Sequence, residues 1–315
     1  MTSKLMIGVF SYNEGRNLDM IIRQLILQTK GLNAEIVLLD ESDDTTSIEI
    51  AQTLMTEYGL KNYCDRRNRI GRVPSQNLLF RKFIESDAQL LLHFNSDNIL
   101  EEGCVPALVG AINQGFDLTC ALNLSLPGRN FFERALRVML IPNELKRAVD
   151  SYPFPLVGHN GGYSRRAVTL VYPVPESGVD QELYILHRAI QMGLKCGVAP
   201  AAKSYFRLTS NIDDYIVSGR RVVGMGRSFE QRNENHTTDN YRAPFTATGS
   251  RISRHGILKE IYRPPSMRDV VMAIRTDPLA SPFIPFALII RMGIRHSSEL
   301  YTSNTWAIIE STKKF

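Results

Sequence analysis

Cysteine is scarce in this chain, tryptophan scarcer, and no apolar run approaches membrane-spanning length. The four cysteines among 315 residues, Cys64, Cys104, Cys120 and Cys196, stand far apart, with no Cys-x-x-Cys pair and no neighbouring histidine. That spacing excludes a disulfide-framed small domain and a zinc site, and it predicts small core residues in a reducing compartment. No stretch of 18 apolar residues occurs, so no membrane-spanning helix is expected. The apolar segment that opens the chain, about seven residues from Leu5, is too short for a secretory signal and predicts a first strand. Internal repeats and low-complexity tracts are also lacking.

What is present is ordinary in bulk and uneven in charge. Hydrophobic residues make up 43% and charged residues 22%, which is enough apolar material for a sizeable core. The length suits one large α/β domain with an appendage, or two small domains. The net charge is +5, but from Gly219 onward there are 15 Lys and Arg against 8 Asp and Glu, a surplus of seven. The 218 residues before it carry 22 against 24. A near-neutral body with a basic tail implies an anionic partner at that end: phosphates, a membrane surface or nucleic acid. The tail carries no recognisable nucleic-acid motif, so no nucleic-acid partner is expected.

The first third alternates short β-prone runs (4–10, 34–39, 61–64, 89–94) with amphipathic runs (17–28, a second around Ile48 to Leu54, 75–84, 101–113). Thr45, Thr46 or a preceding Asp is expected to cap the second helix. Strands alternating with helices of this length imply βαβ units and a mostly parallel sheet. Ligands of such sheets bind beyond the carboxyl ends of the strands. The polar loops at 11–14, 40–44 and 95–98 fall at such ends and are expected to meet in one crevice. The stretch 117–207 is less regular, with helices expected over 130–139 and 180–192. Between them, Gly161 and Gly162 predict a tight turn or a close approach of backbone to a ligand.

Four segments carry a specific resemblance. The first is a strand running through Gly8 to Ser11-Tyr12-Asn13-Glu14. The second is an apolar strand ending in Asp40-Glu41-Ser42-Asp43-Asp44. The third is Asn95-Ser96-Asp97 after a buried strand, and the fourth is Val179-Asp180-Gln181-Glu182 at a helix start. In this order and spacing they resemble the inverting family 2 glycosyltransferases over residues 4 to about 198. The resemblance implies a GT-A α/β fold, with a Rossmann-like sheet flanked by helices and a C-terminal helical extension. It implies a nucleotide-sugar-binding half (1–125), an acceptor-side half with the base (126–232) and a basic, partly apolar extension (233–315).

By the same resemblance Ser11, Tyr12, Asn13, Glu14, Asp40 and Ser42 line the nucleoside side, with Asp40 reading the base or ribose. Arg72 and Asn77 approach the diphosphate, and so do Arg220 and Arg221, although the family's expected Trp is missing there. Asn95, Ser96 and Asp97 stand at the Asp-x-Asp motif, with Asp97 the ligand of a divalent cation, manganese or magnesium. Asp180 is the catalytic base. Two positions depart from the pattern: Asn95 replaces the first acid of the metal motif, and Val179 replaces the Glu before the base.

The residues themselves leave other roles open. Asn13 and Glu14 suit a turn and helix cap equally well, and Asp180 suits a cap. Glu41 and Asp43 read as solvated loop residues. The implied activity is metal-assisted transfer of a sugar, with inversion, from a nucleotide-diphosphate sugar to an acceptor hydroxyl or phosphate on a glycan or lipid. A sugar-nucleotide pyrophosphorylase is the alternative enzyme, although Ser11-Tyr12-Asn13-Glu14-Gly15 is not the Gly-rich loop with which that class usually opens. A non-catalytic sugar-nucleotide binder with a degenerate metal site is the third reading. In the tail, apolar residues 279–290 with flanking arginines suit either packing on the catalytic domain or contact with anionic lipid at the inner face of the membrane. They also suit a homodimer contact. The expected location is cytoplasmic or peripheral at that face.

Overall fold

In this computed structural model the described residues are 4–64, 69–148, 160–176 and 181–215, with short pieces at 271–272, 274–275 and 282–285. The chain divides into two compact units. One comprises Met1–Asn123, Asp150–Glu176 and Gln181–Phe206, and the other Leu124–Val149, Ser177–Asp180 and Arg207–Phe315.

The first unit opens with β1 (Leu5–Ser11), α1 (Arg16–Gln28), β2 (Ala34–Asp40), α2 (Thr45–Tyr58) and the short β3 (Lys61–Asn62). It continues with α3 (Arg72–Glu85), β4 (Leu90–Asn95), β5 (Asn98–Leu100), α4 (Cys104–Asn113) and β6 (Leu118–Ser125), of which Leu124 and Ser125 belong to the other unit. After the second unit's helix α5 (Phe131–Arg147) come β7 (Asn160–Ser164), α6 (Arg165–Val171), α7 (Gln181–Gln191) and β8 (Cys196–Phe206). The sheet order is β3-β2-β1-β4-β7-β6-β8-β5. The half from β3 to β4 is parallel, as the βαβ pattern predicts, whereas β7 pairs antiparallel with both β4 and β6, and β5 antiparallel with β8. The sheet is therefore mixed beyond β4.

The parallel strands are apolar on both faces because helices cover both. On one face Leu5, Ile7 and Val9 of β1 and Leu92 and Phe94 of β4 meet Leu18, Ile21, Ile22 and Leu25 of α1 in one buried cluster. Each such side chain contributes about 1.5–3 kcal/mol on burial. On the other face lies α3, so close that a Cβ on Gly8 would stand 2.5 Å from Leu79 Cδ2. Asp44 caps α2, its carboxylate accepting from the Ser47 amide at 2.8 Å, one of the caps expected. Cys64, Cys104 and Cys120 are buried free thiols and Cys196 is partly buried, in agreement with their reading as core residues.

Two expectations change. Gly161 and Gly162 make no turn: they lie inside β7, with Gly161 opposite His93 and Gly162 opposite Leu92 and Thr119. A Cβ on Gly162 would meet Leu92 Cδ2 at 2.9 Å and Ile112 Cδ1 and Thr119 Cγ2 at 3.1 Å, so the close approach there is to the protein's own side chains. Asn98, read as the end of a loop, instead opens β5 with Ile99 and Leu100, because β8 supplies an edge for them. The C-terminal extension lies almost wholly outside the described residues.

In the second unit, the Asn130 side chain caps α5 by accepting from the Glu133 amide at 2.8 Å, and Glu133 returns to accept from the Arg129 amide at 2.6 Å. Val138 and Ile141 of α5 pack with Leu145, Phe283 and Ile284. Among the described residues no helix is long and apolar enough to cross a membrane.

Candidate active site

The parallel register brings the strand ends level. Ser11 lies opposite Asp40, and Phe10 opposite both Leu39 and Asn95. The loops after β1 and β2 bond to each other, and the loop after β4 bonds back to the end of β1, so the convergence expected from the sequence is present in the fold. Ser96 ties β4 to β1, its amide and hydroxyl both donating to the Phe10 carbonyl at 3.0 and 2.8 Å.

Between β1 and β2 the loops interlock through Asn13, which takes a left-handed backbone with φ of 54°. Asparagine is among the few side-chain-bearing residues that tolerate it. Its amide N–H donates to the Ser42 hydroxyl at 2.9 Å, its Nδ2 to Asp43 at 2.7 Å, and its Oδ1 accepts from the Asp43 amide at 3.0 Å. Tyr12 adds a phenol bond to Asp43 at 2.8 Å. These two donors hold the exposed Asp43 carboxyl below its ordinary pKa, Asn13 first and Tyr12 second.

Asp40 is fully buried, and its carboxylate accepts from the Ser42 hydroxyl at 2.6 Å. Its peptide is gripped by Asn62, which donates to the Asp40 carbonyl at 3.0 Å and accepts from the Asp40 amide at 3.1 Å. The carboxylate is thus fixed at the strand end. Glu14 accepts from Asn17 Nδ2 at 3.2 Å, a contact local to the start of α1.

Glu41 departs from its reading as a solvated residue. It is only 6% exposed, accepts from the Gly71 amide at 3.0 Å and takes the Ser75 hydroxyl in a short hydrogen bond. The acid next to Asp40 therefore clamps the first turn of α3. Its signal in the sequence is slight: an acid two residues past an apolar strand looks like loop until the helix it caps is known.

Arg72, the first residue of α3, lies over the Phe10 ring, its guanidinium carbon 3.5 Å from the centroid. Burial lowers its pKa to about 10, against the pull of the Glu182, Asp97 and Glu41 carboxylates, so it stays a cation at neutral pH. Arg69 stacks on Tyr12 at 3.8 Å. Asn77 is placed differently from the rest of the set: its amide bonds both ways to the Val174 backbone at 2.8 Å and braces the chain there. Its neighbour Gln76, which the motif did not single out, is fully buried on the same helix. Glu182, in the first turn of α7, also enters the set through its effect on Arg72.

At the end of β4, Asp97 accepts from Asn98 Nδ2 at 2.8 Å through one oxygen. Among the described residues no group of three or more His, Cys, Asp or Glu gathers as a metal cage. A single carboxylate with a neutral Asn95 nearby still fits magnesium or manganese, which take one or two carboxylates and complete their shell with waters and substrate phosphates. Asp180, Arg220 and Arg221 lie outside the described residues.

Comparison with known proteins bears on the family and the fold. No curated protein matches the sequence significantly. Among solved structures, the fold is similar to the mannosyltransferase PcManGT from Pyrobaculum calidifontis in complex with GDP-Man and Mn2+. The TM-score is 0.56 at 11% identity, over 95% of this chain and 84% of that one. It is also similar to GalNAc-T7 with UDP, GalNAc and Mn2+, with a TM-score of 0.51 at 16% identity, over 66% of this chain and 43% of that one. The sequence profile of Glycosyl transferase family 2 matches residues 6–169, more than half of the chain and all three strand-end loops. The chain belongs to glycosyl transferase family 2, with a GT-A fold.

Proposed function

We propose that this glycosyltransferase moves a sugar, with inversion, from a nucleotide-diphosphate sugar to an acceptor hydroxyl or phosphate oxygen. The observation that carries the reading is the convergence of Asp40, Arg72 and Asp97 on the ends of three adjacent strands. They form a row of carboxylate, cation and carboxylate that suits the nucleoside, diphosphate and metal of one donor. Asp40, oriented by Ser42 and held by Asn62, takes the base or ribose, with Ser11, Tyr12, Asn13 and Glu14 framing that end. Arg72 lies against the diphosphate, where a fixed cation is worth most in a water-poor cleft. By the family resemblance, Arg220 and Arg221 are proposed as further cations for the diphosphate.

Asp97, with Asn95 and Ser96 beside it, would hold the divalent cation. When bound, that ion neutralises charge on the departing diphosphate. The Mn2+ in both solved relatives supports this assignment. Asp180 is the proposed base for the acceptor proton. The basic tail supports a lipid-linked acceptor at an anionic membrane surface, and full-length protein that ignores anionic vesicles at low salt would count against that part.

The test is a thermal-shift screen of nucleotide sugars, with and without manganese, on wild type and Asp97→Ala. A donor present at about 100 times its dissociation constant adds about 2.7 kcal/mol of stability. Manganese-dependent stabilisation by one donor, lost in the variant, is the expected result. No shift with any nucleotide sugar or free diphosphate would favour a non-catalytic role, the reading that Asn95 at the metal motif keeps alive.

A further inference from the structure

Gln76 sits in the second turn of α3, fully buried, and neither its Nε2 nor its Oε1 has a hydrogen-bond partner among the described residues. A buried amide in that state weakens the fold, and an apolar side chain of the same length would serve packing better. Its direction follows from its neighbours. One row of α3 faces β2: Ser75 bonds to Glu41, and Leu79 lies over Gly8 close to Leu39. The other row, Arg72, Gln76 and Phe80 at four-residue spacing, faces β1, β4 and β7. Arg72 lies on Phe10. Phe80 meets Tyr163 edge-on at 5.3 Å, and the Tyr163 hydroxyl is 3.4 Å from His93 Nδ1. Gln76 lies between these two anchors, on the row of α3 turned away from Glu41 and Gly8.

We propose that Gln76 is a specificity-determining residue for the group carried on the diphosphate, its amide exchanging hydrogen bonds with a hydroxyl of the transferred sugar. The inference rests on the nucleotide-sugar reading above. A hydroxyl donates and accepts, and so does a primary amide, whereas a phosphate oxygen would satisfy only one of its atoms. Arg72 stands one turn ahead of Gln76 on the same row of α3, so a donor whose diphosphate meets Arg72 brings its sugar toward the amide. A buried group built to bond a hydroxyl penalises a donor that lacks it or presents it elsewhere, because the amide is then left unpaired again.

The experiment is calorimetric titration of wild type and Gln76→Met with UDP-glucose, UDP-N-acetylgalactosamine and GDP-mannose, each beside free UDP or GDP, in manganese. Thermal melts of both proteins are run alongside. Gln76→Met is expected to melt no lower than wild type and to bind the free nucleotides as wild type does. It should bind the preferred nucleotide sugar about tenfold more weakly. An unchanged ratio of sugar-bearing to free nucleotide affinity overturns the role of Gln76 and leaves the donor reading intact. Wild type that binds none of the nucleotides overturns the donor reading, and this inference with it. If Gln76→Met does not fold, Gln76→Asn, which keeps the amide but withdraws it by one methylene, reads the same ratio.

Discussion

Asn62 holds Asp40 by its peptide: the Asn62 amide group donates to the Asp40 carbonyl at 3.0 Å while its oxygen accepts from the Asp40 N–H at 3.1 Å. The same oxygen also accepts from the Cys64 amide at 3.2 Å. One side chain on the two-residue strand β3 therefore fixes the residue proposed to read the nucleoside. Asn62→Ala is expected to cost about 1–3 kcal/mol, because these backbone groups lose their partner. It should weaken nucleotide binding with no change in dependence on manganese. Denaturant melts and a nucleotide titration with and without the metal check both parts.

Glu41→Ala should act on a different ligand group. It removes the acceptor of the Gly71 amide and the Ser75 hydroxyl at a buried site, for a loss of about 2 kcal/mol. It also frees the first turn of α3, on which Arg72 stands. Affinity for a nucleoside diphosphate is expected to fall, while affinity for the nucleoside itself stays near wild type. Equal loss for both would remove the link to Arg72.

Asp43 sets a pH dependence of known sign. Its folded pKa lies below the ordinary carboxylate value of about 3.9 because Asn13 and Tyr12 donate to the ionised form. The stabilisation is therefore full above the unfolded pKa and disappears as pH falls through the lower folded one. Asp43→Asn should be less stable than wild type at pH 6, and the two should converge at the acid end of that window. Melts across pH 2–7 would show it, and a constant gap between the two curves would contradict the assignment.

Gly162→Ala tests the close packing of β7. A methyl there would press on Leu92, Ile112 and Thr119 at 2.9–3.1 Å. Overpacking of this kind costs about 1–3 kcal/mol. A fall in melting temperature without a change in m-value is the expected reading.

The parallel half of the sheet was legible in the sequence because each strand there is followed by a helix, and the change of period from two to 3.6 marks both. Three of the loops it positions were legible for the same reason. Beyond β4 the pattern fails on physical grounds. β7 is Asn-Gly-Gly-Tyr-Ser, with little side chain to show any period, and its strand character comes from β4 and β6 on either side. β5 has three residues and depends on β8 for its pairing. Within the site, Asp40 could be read because it ends an apolar run. Glu41 and Gln76 could not, since their meaning lies in partners more than 20 positions away or in having none among the described residues.

The first unit is drawn from three separate stretches of the chain, Met1–Asn123, Asp150–Glu176 and Gln181–Phe206. A truncation must therefore run to residue 206 to hold all three stretches, and an expression trial that stops after residue 123 would leave β4 with a bare edge where β7 belongs. During synthesis the same holds in time. The nucleoside-side loops are complete early, but the strand that closes β4 appears only after the chain has passed through α5, and the last strand of the sheet only with residue 206. For that interval the edge of β4 is a hazard for pairing with other chains. A nascent chain stalled between these points is the form of this protein most in need of a chaperone.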